Sequence, residues 1–350
     1  MKSKAYLILE NGTTFEGNAL GASGDVTGEI VFTTGMTGYL ETLTDPSCYG
    51  QMILQTFPLI GNYGVIPADS ESDSITARGY IVKHLCQDPS NFRSEGDLDT
   101  FLKAHGVIGI SGIDTRKLTK LIRDNGTMNG KITSAVPTPA DQADAKAYVV
   151  TNAVAAVSPR EVKKLGGEGK KVALFNFGAK KGIVDALIAR GCEVWSFPHD
   201  ATAEDILAIK PDGIVLSNGP GDPNDPNNAS IIREIAKLDK SGVPIFGICL
   251  GHLLLALAKG YKTEKMKPGH RGGNQPIKDT KSGRVYITAQ NHGFAIAADK
   301  QQSSFVNVND GTCEGLDYGK SFSVQFHPEA CGGPLDTGFL FDTFVERMGK

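Results

Sequence analysis

Short apolar segments alternate with helical segments along the second half of the chain, and this order constrains the fold more than any other sequence feature. Strands are predicted at 172–177, 194–197, 213–217 and 243–248. The helices predicted between them cover 180–190, 203–209 and 229–240, with Gly191 placed to end the first. A strand, a helix and a second strand in succession form a right-handed unit on a parallel sheet. Residues 172–350 are therefore predicted to form an α/β domain with a mostly parallel sheet.

The first 150 residues have a different pattern. Short strands are predicted at 6–9, 13–16, 29–33, 51–55 and 79–82, with Gly, Asn and Pro between them. Asp114 is a plausible N-cap for a helix that ends near Gly126. The charged residues of this helix form either a solvated face or a docking site for a partner. We expect a β-rich α+β domain over 1–150. The polar, glycine-rich run 158–171 predicts a linker at 151–171.

Composition excludes several classes of protein. The formal net charge of −3 does not suggest a nucleic acid or an anionic membrane as partner. No apolar run reaches the roughly 18 residues of a membrane span. The six cysteines are irregularly spaced and form no CxxC motif, which favours reduced thiols and a cytoplasmic location. The 42 glycines among 350 residues indicate many tight turns and close backbone approaches.

A cysteine stands where one of these strands passes into a helix. Gly247 and Gly251 flank Cys249 in a G-x-C-x-G motif, which is typical of a nucleophile elbow. The positive end of the helix dipole favours the reactive thiolate, and the first backbone N–H of the helix, at Leu250, can donate to an oxyanion. The alternative is a buried cysteine that packs as a small hydrophobic residue. The combination of strand, glycines and helix favours a nucleophile.

The cysteine needs a base, and the best candidate is His327. It ends an alternating strand, and Glu329 lies two residues later, so both side chains project to one face of an extended segment. The carboxylate can then orient the imidazole, as in a catalytic triad. A satisfied surface His–Glu pair is the alternative. We expect His252 to be structural, and His84 with Cys86 is a weak metal-ligand pair.

Two polar loops follow predicted strands. The first, 216–223, contains Gly219 and Gly221, and its tight turns expose backbone N–H groups that suit an oxyanion or a polar substrate group. It lacks the GK[ST] ending of a phosphate-binding loop. The second, 288–294, contains Asn291, Gly293 and Phe294 and carries little information by itself.

Four motifs in this order, GxCxG, NGPGDP, QNHGF and FHPEA, resemble those of the class I glutamine amidotransferases over roughly residues 170–350. The first half adds the runs TGMTGYLETLTDPS, IGNYG, SNFR and GIDTRKL. Together they resemble the small, glutamine-hydrolysing subunit of carbamoyl-phosphate synthetase over essentially the whole chain.

The resemblance implies hydrolysis of L-glutamine to glutamate and ammonia through a γ-glutamyl thioester. It implies that Cys249 is the nucleophile, that His327 and Glu329 complete the triad, and that Gly219 and Leu250 form the oxyanion hole. Further residues would hold glutamine: Ser47, Gly221, Asn291, Gly293 and Phe294. The domain 1–150 would contact a separate large subunit, which would use the ammonia with bicarbonate and ATP to make carbamoyl phosphate for arginine and pyrimidine synthesis. ATP and magnesium would bind there, with no cofactor or metal in this chain, and the heterodimers could form a higher oligomer.

One position departs from the family pattern. Leu253 stands four residues after the nucleophile, on the same helix face, where the family usually has a substrate-binding glutamine. Leucine cannot form a hydrogen bond, so we expect a working glutaminase with weakened glutamine affinity. A catalytically weak or silent scaffold for the large subunit is the alternative that Leu253 suggests. A glutaminase serving GMP or anthranilate synthesis is disfavoured by the first 150 residues.

Overall fold

The computed structural model describes residues 3–299, 301–330 and 332–349. The chain divides into two compact units, Met1–Val150 and Thr151–Lys350. None of the helices in these described ranges has the length and apolar character needed to cross a bilayer. Cys331, one of the six cysteines, lies outside the described residues, and the other five form no disulfide.

The first unit contains a closed barrel of mixed strands. Its strands are β1 (Lys4–Leu9), β2 (Thr14–Gly21), β3 (Val26–Thr33), β4 (Gln51–Gln55), β5 (Leu59–Ile60), β6 (Gly79–Val82), β7 (His84–Leu85), β8 (Ile108–Ser111) and β9 (Met128–Thr133). The barrel order is β1-β2-β8-β6-β4-β3-β9, and β5 pairs separately with β7. Its helices are α1 (Tyr39–Thr44), α2 (Leu98–Ala104), α3 (Thr115–Asn125) and α4 (Pro139–Ala147), with 3₁₀ turns at Pro46–Cys48 and Pro67–Asp69.

The predicted elements of this unit are confirmed. Each of the five predicted strands overlaps a strand of the barrel. The Asp114 carboxylate accepts a hydrogen bond from the Lys117 backbone N–H at 2.9 Å and so caps α3, while Gly126 ends it. Leu118 and Ile122, one helical turn apart, are buried in the apolar cluster that α3 shares with the barrel strands. The charged residues of α3 therefore lie away from its buried stripe.

The second unit is built on one ten-stranded sheet. Its strands are β10 (Lys163–Gly166), β11 (Lys170–Phe175), β12 (Cys192–Phe197), β13 (Gly213–Leu216), β14 (Ile245–Ile248), β15 (Thr263–Asp279), β16 (Val285–Ile296), β17 (Phe305–Asn307), β18 (Cys313–Asp317) and β19 (Phe322–Val324). Its helices are α5 (Ala153–Val157), α6 (Lys181–Ile188), α7 (Ala203–Ala208), α8 (Ala229–Lys240), α9 (Leu250–Ala258) and α10 (Phe339–Arg347), with a 3₁₀ turn at Pro226–Asn228.

Helices cover both faces of the parallel part of this sheet. Alternate residues of β11 enter two different apolar clusters: Leu174 packs in the cluster that contains side chains of α6 and α10, and Ala173 packs in the one that contains side chains of α7, α8 and α9. Successive side chains on a strand point to opposite faces, so a strand buried on both faces is apolar throughout. This explains the continuous apolar runs of the sequence.

The sheet corrects the prediction that it is mostly parallel. The strand order is β10-β12-β11-β13-β14-β19-β18-β16-β15-β17. Only β12, β11, β13, β14 and β19 run parallel to one another, and every pairing outside this group is antiparallel. Between α9 and β19 the described residues contain no helix, and β15 with β16, β17 with β18, and β18 with β19 pair as hairpins. A parallel neighbour needs a crossover connection, so these strands pair antiparallel.

The segment that we expected to be a linker, 151–171, carries regular structure. It contains α5, β10 and the first residues of β11, and β10 pairs antiparallel with the edge strand β12. Polar and glycine-rich composition is typical of an exposed edge strand as well as of a linker. Composition alone could not separate these two structures.

Candidate active site

Cys249 occupies a strained turn between β14 and α9. It is the N-cap residue of α9, with φ 53° and ψ −106°, and its side chain is buried. A side chain added at Gly251 would place its Cβ 2.2 Å from the Leu216 carbonyl oxygen, and one at Gly247 would lie 2.8 Å from the Gly251 carbonyl oxygen. Both glycines are therefore required by close backbone contacts. The strand–turn–helix arrangement predicted for Cys249 is present.

His327 and Glu329 form a buried pair at the same edge of the sheet. His327 follows β19, and its backbone N–H donates to the Ala289 carbonyl oxygen at 2.9 Å. Its Nδ1 lies 2.7 Å from Glu329 Oε1. Both side chains are almost completely inaccessible to solvent, 1% and 0% exposed, so the surface-pair alternative is wrong. The carboxylate fixes the imidazole orientation, as a triad requires.

The electrostatics of this pair favour a charged imidazole. Burial opposes the charge, as does the Lys180 ammonium, but Glu329 and Cys249 outweigh both and raise the pKa of His327 to about 10. Burial would likewise raise the pKa of Glu329, but Lys180 and His327 lower it to about 2. At neutral pH the pair is therefore an imidazolium and a carboxylate.

Lys180 is a member of this site that the sequence analysis missed. Its Nζ lies 3.1 Å from Glu329 Oε1, and its side chain is 7% exposed. It is the N-cap residue of α6, and its backbone N–H donates to Asn218 Oδ1 at 3.1 Å. The available signal was its position: it follows the parallel strand β11, at the edge where α/β sheets place their sites.

Two further groups surround the sulfur. The Cys249 Sγ lies 3.8 Å from the Asn291 carbonyl oxygen in β16, and Gln325 Nε2 donates to Sγ from 3.8 Å. His327 lies near enough for Cys249 to raise its pKa by charge and hydrogen bonding. Its Nδ1 is already engaged by Glu329, and its other ring nitrogen, Nε2, is buried. This ring nitrogen is therefore available for proton transfer.

The loop after β13 lies against the elbow. The Gly251 backbone N–H donates to the Ser217 carbonyl oxygen at 3.0 Å. A Cβ at Gly219 would lie 2.9 Å from a Leu250 methyl carbon and 2.5 Å from the Phe177 carbonyl oxygen. Leu250 is the first residue of α9, where backbone N–H groups have no partner within the helix. The two predicted oxyanion-hole residues are therefore in neighbouring segments. Gly221, with φ 93°, supplies the turn that follows.

The other predicted substrate residues lie at two places. The strand β16 contains Asn291, Gly293 and Phe294. The carbonyl oxygen that lies near the sulfur is that of Asn291. Leu253 is buried in α9, in an apolar cluster against which the partly buried Phe294 packs. Its side chain therefore has an apolar environment on at least one side.

Ser47 lies in the first unit. It is buried in the 3₁₀ turn Pro46–Cys48, and its backbone N–H donates to the Asp45 carboxylate at 2.8 Å. Its contact with glutamine stays a prediction, as do the contacts of the residues in the second unit.

His252 has the structural role that we expected. It is fully buried, its Nδ1 lies 2.7 Å from Ser323 Oγ, and burial lowers its pKa to about 3. It therefore stays neutral and ties α9 to β19. His84 and Cys86 do not belong to the group of potential metal ligands found among the described residues.

That group consists of His270, His292 and Glu314, whose potential ligand atoms lie within 4.8 Å of one another. Their polar atoms already have protein partners: His270 Nδ1 lies 3.2 Å from Glu314 Oε1, and His292 Nε2 lies 3.0 Å from Gln290 Oε1. Gln290 Nε2 donates to the other Glu314 oxygen at 3.1 Å. The spacing could accommodate a cation, but these residues and Gln290 already form a hydrogen-bond network with one another.

Known proteins resemble this chain along its whole length. The CPSase domain of the carbamoyl-phosphate synthase small chain matches residues 7–132, and glutamine amidotransferase class-I matches residues 173–347. A carbamoyl phosphate synthase small chain from Clostridium perfringens is 50% identical and covers 98% of this chain and 99% of its own. A pyrimidine-specific small chain from Halalkalibacterium halodurans is 46% identical, covering 99% and 97%.

A solved structure of a glutamine amidotransferase from Thermotoga maritima is 17% identical with a TM-score of 0.38. The match covers 46% of this chain and 76% of that one. The identity to the small chains at full coverage is the finding that assigns the family. The chain belongs to the carbamoyl-phosphate synthase small chains, with a C-terminal class I glutamine amidotransferase domain.

Proposed function

We propose that this chain, as the glutaminase subunit of a carbamoyl-phosphate synthase, hydrolyses L-glutamine with a Cys249–His327–Glu329 triad. The observation that supports these roles is the buried arrangement at the carboxyl edge of the parallel strands. The nucleophile follows β14, and the imidazole with its carboxylate follows the neighbouring strand β19. A strained cysteine turn beside a charged histidine is the arrangement that thiol catalysis requires.

The first half of the reaction forms the thioester. The Cys249 thiolate attacks the carboxamide carbon of glutamine, and the carbonyl oxygen becomes an oxyanion. The backbone N–H groups of Leu250 and Gly219 would donate to it. When the C–N bond breaks, His327 Nε2 gives its proton to the departing nitrogen, which leaves as ammonia. The raised pKa of His327 keeps that proton available at neutral pH.

The second half releases glutamate. His327, now neutral, takes a proton from a water molecule, and the resulting hydroxide attacks the thioester carbon. A second oxyanion forms at the same backbone donors, and the C–S bond then breaks to restore the thiolate and the imidazolium. Glu329 stays ionised throughout, because its pKa is lowered to about 2 in the presence of Lys180 and His327. Its role is to orient and stabilise the imidazolium.

The ammonia would pass to a large chain, the expected partner. That chain would combine it with bicarbonate and ATP, so ATP and magnesium would bind there and not in the small chain. We propose a heterodimer in the cytoplasm that supplies carbamoyl phosphate for pyrimidine and arginine synthesis. Its association into larger assemblies is a separate question that gel filtration of the complex answers.

The test is a glutaminase assay on the complex of small and large chains. With labelled glutamine, the native complex should release glutamate and make carbamoyl phosphate. The Cys249→Ser complex should do neither with glutamine, yet should make carbamoyl phosphate from ammonium at the native rate. Cys86→Ser, the same chemical change in the first unit, is the control and should retain both reactions.

Two outcomes would contradict the proposal. Glutamate release by the Cys249→Ser complex would exclude Cys249 as nucleophile. A native complex that releases no glutamate but uses ammonium would favour the silent scaffold, the alternative suggested by Leu253.

A further inference from the structure

A buried side chain outside the triad lies beside the nucleophile. Gln325 follows β19 directly, and its side chain is fully buried. The backbones here are in close register: Ile248 pairs with Val324, and the Cys249 N–H donates to the Val324 carbonyl oxygen at 2.9 Å. This register brings the Gln325 amide to the sulfur.

Alternate residues of β19 and of the segment that follows it direct three polar side chains towards α9 and the site. Ser323 bonds to His252, Gln325 Nε2 donates to Cys249 Sγ from 3.8 Å, and His327 is the proposed base. Residues two apart in an extended segment share one face. Gln325 therefore lies just after β19 on the same side of the chain as these two residues, between a structural bond and the proposed catalytic imidazole.

The Gln325 amide is only half satisfied. The backbone N–H of Gln325 donates to the Glu314 carbonyl oxygen at 3.0 Å, so the backbone is held here without the help of the side chain. Its Oε1 is buried and accepts no hydrogen bond from the described residues. A buried acceptor without a donor costs free energy, and an apolar side chain of the same shape would avoid that cost. Such an atom next to the nucleophile indicates a missing donor.

We propose that Gln325 is a further catalytic residue: its amide N–H stabilises the Cys249 thiolate, and its Oε1 accepts an N–H of the substrate carboxamide. This rests on the proposed function, since it assumes that Cys249 attacks glutamine. Because the Gln325 amide is neutral, it can stabilise the negative sulfur without replacing the imidazolium as the partner of Glu329. The attack forms the S–C bond and the oxyanion, and when that intermediate collapses the C–N bond breaks and His327 supplies the proton to the departing nitrogen. Gln325 itself gains and loses no proton.

The test compares Gln325→Met and Gln325→Glu in the complex with the large chain. Methionine keeps the length and removes the donor, and glutamate keeps the shape and places a carboxylate beside the sulfur. Two quantities are measured: the pH dependence of Cys249 alkylation by iodoacetamide, followed on its peptide, and kcat and KM for glutamine. Co-elution of the two chains in gel filtration reports whether the complex is intact, and ammonium-dependent synthesis reports that the large chain is active. Gln55→Met, which replaces a buried glutamine of the first unit, is the matched control.

We expect the midpoint of the alkylation profile to move up by about one pH unit in Gln325→Met, and kcat to fall about 10- to 100-fold. The shift should be larger in Gln325→Glu, because the carboxylate repels the thiolate. The Gln55→Met complex should retain the native profile.

The proposal would be overturned if, in Gln325→Met, the midpoint of the alkylation profile did not move and kcat stayed within twofold of native. If that variant fails to fold, an unchanged profile in Gln325→Glu would overturn it equally. Either result would leave the loss of glutaminase activity in Cys249→Ser intact, so this proposal and the proposed function fail separately.

Discussion

The strained backbone at Cys249 predicts that this residue lowers the free energy of unfolding. With φ 53° and ψ −106°, the residue lies outside the left-handed helical well and near the strained γ-turn geometry. A non-glycine residue in such a region costs about 1–3 kcal/mol. For glycine the conformation is the mirror image of an allowed extended one, so the strain disappears. We therefore expect Cys249→Gly to be more stable than Cys249→Ala, although both lack the sulfur.

The magnitude follows from three effects. Strain in the upper part of its range, about 2–3 kcal/mol, is relieved in the glycine variant. Against this, glycine costs about 0.5–1 kcal/mol through the freedom of the unfolded chain, and a buried methyl group contributes about 0.8 kcal/mol to the alanine variant. The net difference in the free energy of unfolding is about 1 kcal/mol in favour of glycine. For a unit of this size that corresponds to a difference in Tm of about 2–4 °C.

The measurement is urea unfolding of the two variants, followed by fluorescence. The chain has a single tryptophan, Trp195, in β12 of the second unit, so its emission reports on the unit that contains the elbow. Equal slopes with urea concentration would show that the comparison concerns stability alone. An alanine variant as stable as the glycine variant, or more stable, would refute the inference that the elbow is strained.

Three other predictions concern the surroundings of the triad. Lys180→Met should lower the free energy of unfolding by about 3 kcal/mol at neutral pH, the lower end for a broken buried ion pair, since the imidazole still pairs with Glu329. Because the native pKa of Glu329 is lowered, its contribution is present above about pH 4.5 and lost as the pH falls towards 2, so the difference between native and variant unfolding should shrink over that range. Gly251→Ala should abolish glutaminase activity, because its Cβ would lie 2.2 Å from the Leu216 carbonyl oxygen, whereas activity within tenfold of native would show that the elbow can shift. Leu253→Gln should lower the KM for glutamine about tenfold while costing about 1–3 kcal/mol of stability in the apolar cluster, and an unchanged KM would mean that the position is already compensated.

The candidate site shows where sequence reasoning ended. The pair His327–Glu329 was predictable, since two residues two apart on a strand share a face. Lys180 lies 149 positions before Glu329, and no spacing links the two. Gln325 stands in the same alternating segment as His327, so its face was available from the pattern, but its contact with Cys249 was not. That contact depends on which strand pairs with β14, and the register between strands is set by packing.

The amino-acid sequence by itself determined the local structure: strands and helices from their periodicity, the cap of α3 from Asp114, and the cysteine elbow from two glycines at fixed distances. These features depend on residues a few positions apart, where sterics and hydrogen bonding are read directly. The tertiary structure decided what long-range pairing controls, namely the closed barrel of the first unit, the antiparallel half of the second sheet, the strand β10 in place of a linker and the ion pair of Lys180 with Glu329. Packing and burial over the whole domain decide which strand pairs with a sheet edge and which group pairs with a buried charge. The residues nearby in the sequence therefore do not indicate these partners.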